Sequence, residues 1–476
     1  MDQTLTWWAH ALLDGWQDRP GPRYARLAAA ILDSVESGRL RPGTRLPAER
    51  VLAGALGVSR GTVVSCYDRL VDAGVLRRRQ GAGTFVVGRP GWNRPPAENR
   101  AAALLLRRLA GADDIDLSLG VPEGTGHLPP VRLELAELDV RHQLEPAGLP
   151  GLREAVARHL SHRQGLPTEP SQVVITNGAQ QALTLLAAAL GRRHAAVVTG
   201  CPTYPGLSSA FGEAGVAVIG EADGPGGLEP QAVERAARAH GRPVLYLSPS
   251  GSNPAGRVMS LARRRGLLAA ARAAGATVVE DLALADLHLG EEHPPPHLAV
   301  DDPEVVVVGS LSKLFWAGLR IGWVRAEEPL RSELVRLRAA SDLASSSPSQ
   351  AMATALLDGM TPEWLAGVRG ALRVRRDHLV DVLAHRLPSW RIPHIPEAGL
   401  SLWVELPVRD ADAFADRAAS LGVAVAPGRV LCVCGGHGHF VRLSYAHPLT
   451  TLDLAVERLA LAWEKHAADL AATPVA

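Results

Sequence analysis

Lysine is nearly missing from this chain. Of its 50 basic residues only Lys313 and Lys465 are lysine, and the other 48 are arginine. A GC-rich genome accounts for the bias, so a lysine that survives it asks for a reason. Arginine is always charged and cannot form a Schiff base, whereas lysine can. Net charge is missing as well: 50 basic residues face 49 acidic ones. That balance, with 47% hydrophobic residues, excludes a disordered polyelectrolyte and supplies a core despite only 4% aromatics. Four cysteines in 476 residues cannot make a disulfide framework. Cys432 and Cys434 are spaced C-x-C, not C-x-x-C; all four cysteines read as small buried side chains, and no metal site is expected. No apolar run reaches the roughly 18 residues of a membrane span. The first residues lack a basic stretch followed by an apolar one, so neither a secretion signal nor a membrane role is expected, and the location expected is cytoplasmic. A length of 476 residues suggests two to four domains.

The charge that exists is unevenly placed. Residues 21–90 carry twelve arginines and five acidic residues, a balance of +7 in a chain of +1. A basic front end on a mildly acidic body points to a polyanion as partner of that end. Its sequence reads as three helices and a hairpin. Tyr24, Leu27, Ala28, Ile31, Leu32 and Val35 recur at helical spacing. A short helix from Ala48 to Leu56 stops at Gly57, and Ser59 caps the next, which ends at Gly74. Val75–Arg79 and Thr84–Val87 flank the Gly-rich turn Gln80-Gly81-Ala82-Gly83. This is the pattern of a winged helix-turn-helix, expected over 1–88, and the start of its second helix, Ser59-Arg60-Gly61-Thr62, would face a major groove. Residues 89–112, with Pro90, Pro95 and Pro96, read as a linker whose second half, 97–110, is helical.

From 113 the pattern becomes β/α alternation. Strand-like runs at 173–176, 196–199, 216–219, 244–247, 277–280 and 305–308 are mostly separated by helical stretches. The fold class is therefore α/β and multidomain: a large α/β domain with a mixed, mostly parallel sheet, and a smaller α+β lobe over 345–470. Ligands of such sheets bind beyond the carboxyl ends of the strands. Chemistry-bearing residues fall at those ends: Thr176-Asn177-Gly178-Ala179-Gln180 before a helix, Tyr204, Asn253, Asp281, and Ser310-Leu311-Ser312-Lys313 with Arg320 seven residues on. Amides at a helix start suit a phosphate. A lysine among hydroxyls and an arginine suits an aldehyde that carries one. Each residue alone also reads as an ordinary turn, loop or surface residue.

The order G-A-Q, Y-P-G, S-N-P-A-G, E-D, S-L-S-K-x7-R and V-R-L-S resembles the fold-type I, aspartate-aminotransferase-like enzymes that use pyridoxal 5'-phosphate (PLP), over about 113–460. The front end, with Leu46-Pro47-Ala48-Glu49-Arg50, Leu56-Gly57-Val58-Ser59-Arg60 and Gln80-Gly81-Ala82-Gly83-Thr84-Phe85-Val86, resembles a GntR-type winged helix. The combination is similar to the MocR/PdxR-like bacterial transcriptional regulators.

The resemblance implies that Lys313 forms the aldimine with PLP. It implies that Asp281 holds the ring nitrogen protonated, Asn253 bonds the ring oxygen and Tyr204 stacks on the ring. Gly178, Ala179, Gln180, Ser310, Ser312 and Arg320 would complete the cofactor site, and Arg442 would take the carboxylate of an amino-acid effector with a bidentate fork; the compound sensed at Lys313 would be an amino acid, an amine or PLP itself. Arg45, Arg50, Ser59, Arg60, Thr62 and Arg79 would contact operator DNA, with Gln80 and Gly81 at the wing tip. The chain would form a head-to-tail homodimer. It departs from the family where Ala283 and Gln143 stand in place of tyrosines that touch the cofactor. Weakened PLP binding and no efficient turnover are therefore expected. Two other readings stay open: an active aminotransferase with an accessory winged helix, and a regulator whose second domain is a scaffold without PLP.

Overall fold

The computed structural model describes residues 16–18, 22–36, 40, 44–72, 75–79, 83–86, 114–134, 144–224 and 226–472. The chain divides into two units, residues 1–98 and 99–476. The expected linker, 89–112, lies wholly outside the described residues.

The first unit holds helices α1 (Arg23–Glu36), α2 (Glu49–Leu56) and α3 (Arg60–Asp72), then the antiparallel hairpin of β1 (Leu76–Arg79) and β2 (Gly83–Val86). Gly57 ends α2 at φ 64°, a left-handed conformation that favours glycine, and its N–H reaches the Ala53 carbonyl. Two residues later the Ser59 hydroxyl accepts from the Thr62 N–H at 3.1 Å. A C-cap followed at once by an N-cap makes the tight corner between the helices. Leu27, Ile31, Leu52, Val63 and Tyr67 bury completely in one core, and the Tyr67 hydroxyl donates to the Pro47 carbonyl at 2.9 Å. The hairpin gains a third edge that sequence reading did not anticipate: the Leu46 N–H donates to Thr84 O and the Val86 N–H to Thr44 O.

The second unit opens with the short strand β3 (Ile115–Asp116). Its main sheet comprises β4 (Val173–Thr176), β5 (Ala196–Cys201), β6 (Ala217–Ala222), β7 (Val244–Leu247), β8 (Thr277–Asp281), β9 (Val306–Ser310) and β10 (Gly322–Arg325), in the order β4-β10-β9-β8-β7-β5-β6. β10 runs antiparallel to both neighbours, and the other pairings are parallel. Apolar side chains pack on both faces, with Leu183, Leu186, Leu207 and Phe211 in one cluster and Val156, Leu160, Leu245 and Leu267 in another. Burial on both faces is why these strands read as continuous apolar runs and not as alternation.

The C-terminal lobe is a sheet of β11 (Ser401–Glu405), β14 (Phe440–Ser444) and β13 (Ala426–Pro427), with long helices at Pro362–Arg386 and Leu449–Ala472. Between β11 and β13, β12 (Val423–Ala424) pairs in parallel with β3, so the lobe also draws on the start of the unit. Helix Ser347–Asp358 instead lies against helix Pro150–Arg163, where Arg158 meets Asp358 at 2.9 Å. Among the described residues no helix is long and apolar enough to cross a membrane.

Candidate functional site

Because the strands other than β10 share one direction, β4, β5, β7, β8 and β9 deliver their carboxyl ends to one edge of the sheet. A cavity of about 520 Å³ opens there. It is lined by Ala179, Gln180, Tyr204, Asn253, Asp281, Ser310, Ser312, Lys313, Arg320 and Arg442, every expected cofactor or effector residue except Gly178. Gly178 sits immediately behind the lining at φ 83°, and a Cβ on it would come within 3.2 Å of the Arg320 guanidinium. Gly178 precedes helix Ala179–Leu190, whose alanine- and leucine-rich sequence has high helix propensity, so the helix start is aimed at the cavity.

Lys313 is half-buried, and its ammonium donates to the Gly120 carbonyl at 2.8 Å. Burial lowers its pKa to about 7, the charges of Arg442 and Arg320 push the same way, and Asp281 opposes them. Asp281 accepts from the Tyr246 hydroxyl on one oxygen and from the Ala283 N–H, at 2.8 Å, on the other. Burial raises the Asp281 carboxyl above its ordinary range, against those two hydrogen bonds and Lys313. Arg442 is buried, which brings its guanidinium down to about 10, still a cation at neutral pH. It donates to Asn253 Oδ1 at 3.0 Å and to the Ser118 carbonyl. Asn253, expected on the cofactor, is here engaged by Arg442. The Tyr204 hydroxyl donates to Gln180 Oε1 at 3.1 Å, and Gln180 in turn donates to the Gly206 carbonyl. Gln180 thus fixes the tyrosine as well as lining the cavity.

The set fits a phosphorylated aldehyde. Among the described residues Ser312 Oγ and Arg442 Nε are buried polar atoms without a hydrogen-bond partner, and a buried orphan costs about 1–3 kcal/mol unless a ligand satisfies it. At Gly322 a Cβ would meet the Gly178 backbone at 2.7 Å, so two glycines let the cradle close up. Ala283 lines the cavity with only a methyl group, and Gln143 lies outside the described residues. Sequence reading missed Tyr246, which looks like one more core residue of β7. The neighbouring placement of β7 and β8 was the signal that could have found it.

In the first unit Arg45, Arg50, Ser59 and Arg60 are exposed and Thr62 is half-buried. Arg60 keeps 70% of its side chain exposed while facing Glu49 at 3.5 Å. Ser59 caps α3 and also meets the Thr62 hydroxyl at 2.9 Å. Arg78 turns to Asp68 and Glu49, so that part of the Arg77–Arg79 run is internally paired. Arg79 lies in β1; its side chain, Gln80 and Gly81 are outside the described residues. Cys66, Cys201 and Cys432 are buried as expected, but Cys434, on a bend of the chain, is exposed.

Comparison with known proteins agrees with this fold. Residues 112–459 match the family described as aminotransferase class I and II, and residues 23–86 match the bacterial regulatory proteins of the gntR family. The chain is 31% identical to the uncharacterized HTH-type transcriptional regulator YisV of Bacillus subtilis, over 90% of this chain and 92% of that one. It is 29% identical to the HTH-type pyridoxine biosynthesis transcriptional regulator PdxR of Corynebacterium glutamicum, over 77% of this chain and 80% of that one. Among solved structures, the α-aminoadipate aminotransferase LysN of Thermus thermophilus, complexed with N-(5'-phosphopyridoxyl)-L-leucine, superposes with a TM-score of 0.67 at 29% identity, covering 78% of this chain and 95% of that one.

Proposed function

We propose that this chain, which belongs to the bacterial transcriptional regulators that join a GntR-type helix-turn-helix to an aminotransferase class I and II domain, the MocR/PdxR group, senses an amino acid or amine in its PLP site and passes the signal to operator DNA. The observation that carries the reading is the single cavity in which Lys313, Asp281, Arg320 and Arg442 converge behind a Gly178 cradle, in the same chain as a basic winged helix. When bound, PLP supplies an aldehyde that condenses with primary amines and a ring that draws electrons once its nitrogen is protonated.

The chain's own residues do the rest. Lys313 offers an amine of which roughly half is free base at pH 7. Asp281, fixed by Tyr246 and the Ala283 N–H, would hold a proton on the ring nitrogen. Tyr204 would lie against the ring, and Asn253, now engaged by Arg442, would serve the ring oxygen. Gly178, Ala179, Ser310, Ser312 and Arg320 would hold the phosphate. Arg442 would fork onto the carboxylate of an amino-acid effector. Ala283 withholds the phenol that the resemblance leads one to expect, so efficient turnover is not expected. The chain is cytoplasmic and acts as a head-to-tail homodimer, with residues 1–88 on DNA and 113–476 as the sensor.

The two cations of the site also suggest how it signals. Lys313 holds the Gly120 carbonyl and Arg442 the Ser118 carbonyl. Ligands that engage these cations compete with residues 118–120, the stretch that follows the connection from the DNA-binding unit. A ligand shifts an equilibrium only by its differential affinity, and this exchange of partners provides one.

The test is the visible absorption of purified protein with added PLP, wild type beside Lys313→Ala. A band in the wild type and none in the variant supports the sensor. A band in neither leaves a scaffold domain with DNA binding alone. Conversion of an amino donor to its keto acid would favour an aminotransferase instead.

A further inference from the structure

We propose that this chain carries a structural zinc site formed by Cys201, Cys432, Cys434 and His437, apart from the cofactor cavity. The four ligand atoms lie within 4.8 Å of one another. Cys432 Sγ stands 3.5 Å from Cys201 Sγ, 3.7 Å from Cys434 Sγ and 3.2 Å from His437 Nδ1. His437 Nδ1 is 3.8 Å from Cys201 Sγ and 3.9 Å from Cys434 Sγ. A tetrahedral ion with Zn–S of about 2.3 Å and Zn–N of about 2.0–2.1 Å has edges of roughly 3.8 Å between sulfurs and roughly 3.5 Å between sulfur and nitrogen. Five of the six edges scatter around these values and the sixth, between Cys201 and Cys434, stays within 4.8 Å, so the cluster is close to the size of a filled coordination shell.

The donor set selects the ion. Three thiolates and an imidazole suit zinc and exclude magnesium and calcium, which take oxygen. Four protein ligands close the tetrahedron, and that is the arrangement of a structural centre and not a catalytic one. The outer partners are also present. The N–H groups of Val433 and Cys434 point at Cys201 Sγ at 3.1 and 3.4 Å, and that of Gly435 points at Cys432 Sγ at 3.1 Å. Such N–H donors offset thiolate charge and orient the ligands. The loop is seated closely enough that a Cβ on Gly220 of β6 would strike Val433 at 2.6 Å.

The position gives the site a purpose. Cys201 ends β5, three residues before Tyr204, and the other ligands lie on the turn between helix Gly428–Leu431 and β14, the strand of Arg442. The Thr203 N–H already donates to the Leu431 carbonyl at 2.9 Å. Zinc there fastens the loop of the stacking tyrosine to the lobe that bears the effector arginine.

The experiment uses the full-length chain purified under reducing conditions from zinc-supplemented medium, with zinc measured by plasma mass spectrometry. About one zinc per chain is expected, and cobalt in its place should give tetrahedral d–d bands with thiolate charge transfer. Cys434→Ser is chosen because Cys434 is exposed and its loss leaves the core intact. It should lower zinc affinity by more than the roughly 10–100-fold that loss of an outer partner costs. Cys66→Ser, in the winged helix, should retain the metal. The proposal falls if reduced wild type neither carries zinc nor gives the cobalt spectrum. It falls equally if Cys434→Ser binds zinc like the wild type, or if freshly purified protein is metal-free with a Cys201–Cys432 disulfide.

Discussion

The pKa of Lys313 can be tested through its nucleophilicity. Free lysine titrates near 10.5, and in this cavity burial, assisted by Arg442 and Arg320, brings the amine to about 7. At pH 7 roughly half of the Lys313 amine is then free base, against about 0.03% for an unperturbed lysine, an advantage on the order of 10³ in reactive species. Protein stripped of PLP should recapture it at a rate that rises about tenfold per pH unit below 7 and levels off above it, with N-acetyl-lysine as the control for the ionisation of PLP itself. Arg442→Gln removes one repelling charge and should move the midpoint to higher pH. A second readout has a defined sign. Between pH 7 and 10.5 the unfolded chain keeps a proton on this lysine that the folded chain has released, so the stability of the stripped protein rises with pH across that window. Lys313→Met, measured by urea unfolding, should lack this component of the slope. A wild-type capture rate that climbs tenfold per unit through pH 9, parallel to the control amine, would refute the reasoning.

Three further outcomes are expected. Gly178→Ala places a side chain at φ 83° and crowds Arg320 at 3.2 Å; a strained backbone of this kind costs about 1–3 kcal/mol, to be seen as a lower melting temperature and a weaker dissociation constant for PLP. Tyr246→Phe removes the hydroxyl that donates to Asp281. Hydrogen bonds to charged groups contribute about 1.5–3 kcal/mol, so equilibrium titration should show PLP binding weakened by roughly 10–100-fold, while unchanged binding would mean that Asp281 does not depend on this phenol. Arg60→Ala, which loses an exposed cation at the start of α3, should weaken operator binding and reduce the log–log salt slope by about one if the arginine contacts a phosphate, measured by fluorescence anisotropy over a salt series.

How much of this was legible in the sequence follows from how local each feature is. The strand ends could be read because a strand and the turn that carries the site residue lie within about ten residues of one another, as in Val173 to Ala179, where a helix starts, or Val306 to Lys313. The glycine–serine corner of the winged helix is equally local. Contacts that need the tertiary fold left no such mark. Tyr246 and Asp281 are 35 residues apart and meet only because β7 and β8 are neighbours. β3 and β12 are two residues long each, too short for any periodicity to show. Cys201 lies 231 residues from Cys432, so C-x-C spacing, judged by itself, gave no reason to look for a partner.

The same distinction separates the two kinds of lysine and arginine here. Composition alone made Lys313 conspicuous, because 48 of 50 basic residues are arginine. It could not show that Lys313 and Arg442 are both spent, in this arrangement, on backbone carbonyls two residues apart in sequence, Gly120 and Ser118. A buried cation that loses such a partner must find another, since an unpaired buried charge is costly. Ligand entry and release of residues 118–120 are therefore one equilibrium, and a substitution that deprives either cation of its ligand role should also alter how strongly the effector changes DNA affinity. Arg442→Lys is the discriminating case: it keeps the charge but loses the fork. If the exchange couples site to operator, PLP capture persists in this variant while the effector-dependent change in DNA affinity collapses. An unchanged response to effector would mean that the signal leaves the cavity by another route.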